Sequence, residues 1–536
     1  MTRPDPVPPL PRATEEVAAP SNRFAGRVAA AVAVVALLTA GWVQAGDLGG
    51  ARQRPNVLFI AVDDLRPTIG AYGDPYARTP NLDRLAGSGV TFLQAYAQQA
   101  LCNPSRASLM TGLRPDSIGV WDLETDFRAN VPEVVTLPQH FMRHGYRTVQ
   151  IGKIYHNTIP DSRSWHQEIR LPGFPYDPDA VYHGRENLAI QEARKARIIQ
   201  EGRQDRAIDR FGMWYLKANA TERLDLPDNA YYDGAQTDRA LEELAALKGR
   251  QPFFFAIGYY RPHLPFNAPR KYWDMYDPDS IALAPNPGLP KDAPPAAGSN
   301  LAELRGYADF ASAPDPWDGR LSEADARRLK HGYYASVSYV DALVGRLLDR
   351  LDQLGLAKNT IIVLWGDHGY KLGEMNGWAK MSNYLIDTHS PLIIRAPRVV
   401  PAGLRLEQMV ELVDVYPTLS ELAGLPVPDW LQGTSAVSLV NRPDRPWKRA
   451  VFSQFLRRGR WLGADGVETM GYSMRTERFH YVAWMVWATR QIAARELYDL
   501  EGDPTETVNL APRPEFQPVL EELEAQRRRG WRAAEP

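Results

Sequence analysis

Asn56 to Val62 is a strand-length apolar run that stops abruptly at two carboxylates, Asp63-Asp64. A strand that is apolar on successive residues has both faces buried, as in a parallel sheet covered by helices on each side. The design recurs. Thr148 to Ile151 precedes Gly152-Lys153, Pro252 to Ile257 precedes Gly258, Thr360 to Trp365 precedes Gly366-Asp367-His368, and Leu392-Ile393-Ile394 follows His389. Between such runs lie helical patterns, as in Val340, Leu343, Val344, Leu347, Leu348, Leu351 and Leu354, stopped by Gly355. Alternation of strand and helix predicts an α/β fold with a mostly parallel sheet flanked by helices. Ligands of such sheets bind at the carboxyl ends of the strands. Asp63, Asp64, Lys153, His156, His263, Asp367 and His368 are therefore predicted to converge on one site, although far apart in sequence.

Two stretches depart from this pattern. Residues 284–320 are rich in Pro, Ala, Gly and Asp and read as a long surface loop or insertion. Beyond Pro443 to Pro446 the chain turns to strand and turn signals at Ala450 to Phe455, Gly471 to Arg475, Phe479 to Trp484 and Leu497 to Leu500. A helix around Val519 to Arg529 follows. The expected division is a catalytic domain over 52–440 and a smaller antiparallel α+β domain over 447–536.

Residues 1–46 read differently. After Arg27, Val28 to Val43 runs without a charge, and Val43-Gln44-Ala45 offers a small-residue cleavage site. Sixteen apolar residues are short of the roughly 20 that span a bilayer, so the segment reads as a secretory signal. An uncleaved anchor through 28–43 and a buried helix are the alternatives. Export to the periplasm or outside the cell is the expectation, with membrane contact only if the segment stays attached.

The 62 basic and 64 acidic side chains leave a net charge of -2, which gives no electrostatic case for binding nucleic acid or an anionic membrane. The single cysteine, Cys102, excludes an internal disulfide and a cysteine-based metal cluster. A lone cysteine is ordinarily a small buried hydrophobe. Its neighbours argue otherwise.

Cys102-Asn103-Pro104-Ser105-Arg106 is followed by Thr111-Gly112. This resembles the sulfatase signature C-x-P-S-R with T-G four residues on, matching six fixed positions in eleven. The resemblance implies an alkaline-phosphatase-like fold and conversion of Cys102 to formylglycine by a formylglycine-generating enzyme. A hydrated aldehyde carries two hydroxyls on one carbon. One attacks sulfur; the other, on losing its proton, expels the sulfate and restores the aldehyde.

Sulfate transfer also calls for a hard cation with oxygen ligands. The family implies one divalent metal, calcium before magnesium, held by Asp63, Asp64, Asp367, His368 and the modified Cys102. An Asp-Asp pair after a strand can alternatively cap a helix. Many sulfatases carry Asn or Gln where His368 stands, and imidazole is an unusual calcium ligand. Asp-His matches the iduronate-2-sulfatase branch, as do Asp63-Asp64-Leu65-Arg66-Pro67, Gly152-Lys153-Ile154-Tyr155-His156, Trp378-Ala379-Lys380-Met381-Ser382-Asn383 and Met470-Gly471-Tyr472-Ser473-Met474-Arg475-Thr476.

Roles carried over from these motifs place Arg106 on the formylglycine and Lys153 on the sulfate or the formylglycine oxygen. His156 takes the proton in the elimination. His263 and Lys380 bind sulfate from the other side, either one protonating the leaving alcohol. Thr388 and His389 also match the branch, His389 as a site residue or as packing. Tyr370, Trp378 and Arg114 are candidates for the pocket mouth. The expected function is removal of sulfate from a sulfated saccharide, a uronate 2-sulfate by resemblance to the branch. The alternatives are a phosphomonoester or phosphonate hydrolase of the same superfamily and a catalytically silent exported glycan-binding protein.

Overall fold

The computed structural model describes residues 54–157, 159–174, 176–204, 207–208 and 212–536. The expected signal or anchor within 1–46 lies outside them. Among the described residues no helix is long and apolar enough to cross a membrane.

Among the described residues fourteen strands form: β1 Asn56–Val62, β2 Val90–Tyr96, β3 Arg147–Gly152, β4 Gln167–Ile169, β5 Thr221–Leu224, β6 Phe253–Tyr259 and β7 Phe266–Pro269, then β8 Thr360–Gly366, β9 His389–Arg395, β10 Leu404–Glu411, β11 Ala450–Arg457, β12 Thr469–Thr476, β13 Phe479–Val486 and β14 Ile492–Asp499. Eight of them form one sheet in the order β10-β2-β9-β8-β1-β6-β3-β4. Every pairing in it is parallel except those of β9, which runs against both β8 and β2. β5 and β7 pair as a separate ribbon.

Alternate residues of β1 enter two different cores. Val57, Phe59 and Ala61 face one, and Leu58, Ile60 and Val62 the other, all at 0 % exposure. That is the physical content of the unbroken apolar run. Phe59 packs between the rings of Phe254 at 5.5 Å and Trp365 at 5.6 Å, so Phe59→Ala would cost about 3–5 kcal/mol. The helix Glu323–Gln353 covers one face and realises the apolar spacing of residues 340–354.

Register explains why polar residues meet. Val62 lies opposite Gly366 on β8 and Tyr259 on β6, and Gly152 lies opposite Gly258. The residues that follow, Asp63, Asp367, Tyr260 and Lys153, therefore emerge at one edge. Gly152 has φ of 76°, and a Cβ there would meet the Gly258 carbonyl at 2.2 Å, so the turn delivering Lys153 admits only glycine.

β11 to β14 form the expected antiparallel sheet, covered by the helix Gln517–Arg529 through Met474, Tyr481, Leu497, Leu520 and Leu523. The stretch 284–320 differs from the expectation of a surface loop. It has no long helix or strand, but Ala296, Ala297, Leu301, Leu304 and Tyr307 are buried. Arg457, at the end of β11, anchors it by donating to the carbonyls of Ala296 at 2.7 Å and Ala297 at 3.0 Å.

Candidate active site

Cys102 opens the helix Cys102–Thr111, whose every residue is buried. The first turn of a helix favours negative charge. One turn on, Arg106 points back under the site at 0 % exposure. Its guanidinium donates to Asp63 Oδ1 at 2.9 Å, Asp367 Oδ2 at 2.9 Å, the Ile154 carbonyl at 3.2 Å and the Lys153 carbonyl. It thus ties together the loops that follow β1, β3 and β8. Ser105 adds a hydroxyl bond to the Asp367 carbonyl.

The carboxylates at this edge are arranged for a cation. Sets drawn from Asp63, Asp64, Cys102, Asp367 and His368 bring ligand atoms within 4.8 Å of one another. Asp64 has a left-handed backbone, φ 58°, and its buried Oδ1 has no hydrogen-bond partner. His368 Nδ1 lies 2.9 Å from the Gly369 carbonyl, and its Nε2 lies 3.5 Å from Asp64 Oδ1, 3.6 Å from Asp367 Oδ2 and 3.4 Å from Cys102 Sγ. Buried carboxylate oxygens gathered this closely repel one another unless positive charge lies among them. The donor set therefore fits a divalent metal, held by Asp63, Asp64, Asp367 and His368 beside the Cys102 side chain.

Cations form the opposite wall. Lys153 Nζ bonds Asp63 Oδ2, and Lys380 Nζ bonds Asp64 Oδ2 at 2.9 Å. Burial disfavours both ammonium groups, but Asp63 and Asp179 raise the pKa of Lys153, and Asp64 and Glu303 that of Lys380, so both stay charged. Burial raises the Asp63 pKa, yet Lys153 and Arg106 outweigh it and hold the carboxyl well below its usual range. Burial, with Asp63 adding to it, wins at Asp64 and pushes that pKa up against Lys380 and His263. Burial and then Lys153 hold His156 well below its ordinary value, leaving it a neutral base. Burial and the Asp63 charge push the Cys102 thiol up, so as a cysteine it is a poor nucleophile.

His263 has acceptors at both nitrogens. Nδ1 meets the Leu264 carbonyl at 2.6 Å, and Nε2 meets Glu303 Oε1 at 3.1 Å with Asp64 Oδ2 at 3.9 Å. Two donors are needed, so the ring is an imidazolium. Burial and Lys380 oppose that charge, and Asp179, Asp64 and Glu303 together outweigh them and raise its pKa.

The seven residues predicted to converge are brought together, with Cys102, Arg106 and Lys380 among them. Cys102, Lys153, His156, His263 and Lys380 line a cavity of about 450 Å³ whose rim includes Glu124, Arg460 and Trp461, the last two from the loop after β11. Three residues that no sequence motif marks complete it. Asp179 lies 3.8 Å from Lys153 Nζ and 3.6 Å from His263 Nδ1; Glu303, from the Pro-rich insertion, bonds Lys380 and His263; Lys217 faces Glu303. Arg457 supports the site from the smaller domain by donating to the Met381 carbonyl at 2.7 Å, next to Lys380.

Other candidates lie elsewhere. His389 stacks on Tyr96 at 5.4 Å and meets the Leu93 carbonyl at 2.8 Å; it lines a separate, larger cavity of about 940 Å³ with Arg66 and Arg475. Burial lowers its pKa to about 4, so it packs as a neutral ring. The Thr388 carbonyl accepts from Ala97 N. Tyr370 stacks on Tyr333 at 5.5 Å and donates to the Trp378 carbonyl, and Arg114 makes a two-pronged bond to Glu411 at 2.7 and 2.6 Å. None of these lines the Cys102 cavity, contrary to the expectation of a pocket-mouth role, because each is engaged in buried packing or pairing.

Lys153, Lys380 and His263 around the buried Cys102, backed by a carboxylate cluster, form a site suited to an anionic ester. The sulfatase family profile matches residues 55–425, and that of the N-sulphoglucosamine sulphohydrolase C-terminal region matches 373–530. Iduronate 2-sulfatase of Mus musculus is 33% identical over 519 residues, covering 85% of this chain and 90% of that protein. Among solved structures, the phosphonate monoester hydrolase SpPMH from Silicibacter pomeroyi superposes with a TM-score of 0.67 at 22% identity, covering 90% of this chain and 96% of the other. The structure of BT4656 in complex with its substrate D-glucosamine-2-N,6-O-disulfate gives 0.66 at 23% identity, covering 89% and 99%. The chain belongs to the sulfatase family and is a sulfatase enzyme.

Proposed function

We propose that the protein removes sulfate from a uronate 2-sulfate unit of a sulfated saccharide after Cys102 has been oxidised to formylglycine. The observation that carries this reading is Cys102 at the head of its helix, between a cluster of metal-fitting carboxylates and the cations Lys153, His263 and Lys380. Likeness to iduronate 2-sulfatase over 85% of the chain supports the substrate class. The hydrated formylglycine supplies one hydroxyl for attack on sulfur and a second whose deprotonation releases sulfate. A divalent metal, calcium before magnesium, would supply charge to neutralise sulfate oxygens. Arg106 fixes Asp63 and Asp367 around that position. Lys153 and Lys380 hold the sulfate oxygens, and the His263 imidazolium gives its Nε2 proton to the leaving alcohol. His156, kept neutral, accepts the proton of the second hydroxyl. Export through residues 1–46, with action in the periplasm or outside the cell, belongs to the same proposal.

The test compares release of inorganic sulfate from a 2-sulfated uronate disaccharide, a 6-sulfated glucosamine and nitrophenyl sulfate, with nitrophenyl phosphate as control. Preference for the uronate is expected. Preference for another sulfated sugar overturns the substrate, and preference for the phosphate overturns sulfate ester hydrolysis as the principal activity.

A further inference from the structure

Glu303 has no part in the reaction just described, yet it occupies the reaction cavity. Its carboxylate reaches Lys380 Nζ at 3.0 Å and His263 Nε2 at 3.1 Å, the two groups that grip sulfate on the leaving-group side, and its side chain is 8% exposed. It is ionised there: burial opposes the charge, but Lys380 and His263 hold its carboxyl well below the usual range. The insertion that carries it is anchored by Arg457, so the placement is built into the fold.

A resident anion beside an anion pocket affects ligands in proportion to their charge, because Coulomb repulsion scales with the product of the charges. A sulfate ester carries one negative charge. Inorganic sulfate carries two, and a phosphate monoester approaches two above its second pKa near 6. We propose that Glu303 is a charge filter, setting the pocket for monoanionic sulfate esters and against dianions, both phosphate monoesters and the inorganic sulfate released by turnover. The filter rests on the sulfatase reading and adds to it a reason for weak product retention and for rejecting phosphate. Glu303 acts through its charge on the ligand and through the two cations it shares with it.

The experiment measures affinity for inorganic sulfate and for methyl sulfate by calorimetry, and kcat/KM for phenyl sulfate and phenyl phosphate near pH 8, in wild type, Glu303→Gln and Glu303→Asp. In Glu303→Gln, sulfate is expected to bind roughly tenfold tighter while methyl sulfate tightens only about threefold, and the preference for phenyl sulfate over phenyl phosphate to fall roughly threefold. Glu303→Asp, which keeps the charge, should retain the wild-type preference. Glu303→Ala carries the same prediction as Glu303→Gln should the latter fail to fold. Weakening of sulfate and methyl sulfate in parallel overturns the filter and leaves Glu303 holding His263 and Lys380 in place; unchanged affinities overturn it as well. Failure of the wild type to cleave phenyl sulfate would strike the parent reading instead, and the two binding measurements would still decide the filter.

Discussion

Arg106→Lys is the substitution whose effect can be worked most directly from the structure. The guanidinium serves four acceptors, on Asp63, Asp367, Lys153 and Ile154, with no exposure to solvent. A lysine keeps the charge but concentrates its donors on one nitrogen, which cannot span two carboxylates and two carbonyls. At least two buried acceptors lose their partner, each at about 1–3 kcal/mol, for a total of about 2–6 kcal/mol. Melting entropy of about 2.1 cal/mol/K per residue makes roughly 1 kcal/mol/K for a chain of this size, so Tm should fall by about 2–6 °C. Turnover should fall at least about 100-fold, since Asp63 and Asp367 lose their alignment with Cys102. Differential scanning fluorimetry and sulfate release from nitrophenyl sulfate measure both. A variant that melts within about 1 °C of wild type and keeps activity within about threefold would refute the claim that Arg106 organises the site.

Chelation by EDTA should abolish turnover and lower Tm by about 3 °C, the loss of the roughly 2.7 kcal/mol that a ligand at 100 times its Kd contributes, with recovery on adding calcium; unchanged Tm and turnover would remove Asp63, Asp64 and Asp367 from metal binding. His263→Asn should cost about 100-fold or more on a sugar sulfate, whose alcohol needs a proton, and less than about tenfold on nitrophenyl sulfate; equal losses would move the acid role away from His263. Arg114→Ala breaks a buried pair and should destabilise by about 3–5 kcal/mol near neutrality. Burial raises the pKa of its partner Glu411, but Arg114 and Lys448 bring it down to about 2 from an ordinary 4.5. A depressed folded pKa means the stabilisation is complete above about 4.5 and vanishes as pH falls through about 2. The Tm gap between wild type and variant should therefore be constant from neutral pH to about 5 and narrow below it; a gap that widens in acid would contradict the pairing.

The core of the fold was legible because both faces of β1, β6 and β8 are buried and the apolar runs say so directly. The site was legible because parallel register brings whatever follows those runs to one edge, as with Asp63 and Asp367. Direction was not: the run in β9 is as apolar as its neighbours, and nothing in Leu392-Ile393-Ile394 marks it as antiparallel. Glu303 was hidden for a different reason. It is one acidic residue in a stretch whose Pro and Gly content reads as solvent-exposed, and its burial depends on Arg457, more than 150 positions away. His389, Tyr370, Trp378 and Arg114 show the reverse. His389 and Trp378 lie in stretches that match the branch, but their side chains, like those of Tyr370 and Arg114, satisfy packing and pairing inside the protein.

The central claim is that Cys102 becomes the catalytic aldehyde. The direct measurement is the mass of the proteolytic peptide containing Cys102, from protein made in a host with a formylglycine-generating enzyme, set against turnover of nitrophenyl sulfate in the same preparations. The account predicts a peptide about 18 Da lighter than the cysteine form, activity proportional to its fraction, and almost no activity in a folded Cys102→Ser variant, which lacks the second hydroxyl. Full turnover by protein whose Cys102 remains a thiol, or by Cys102→Ser, would contradict it.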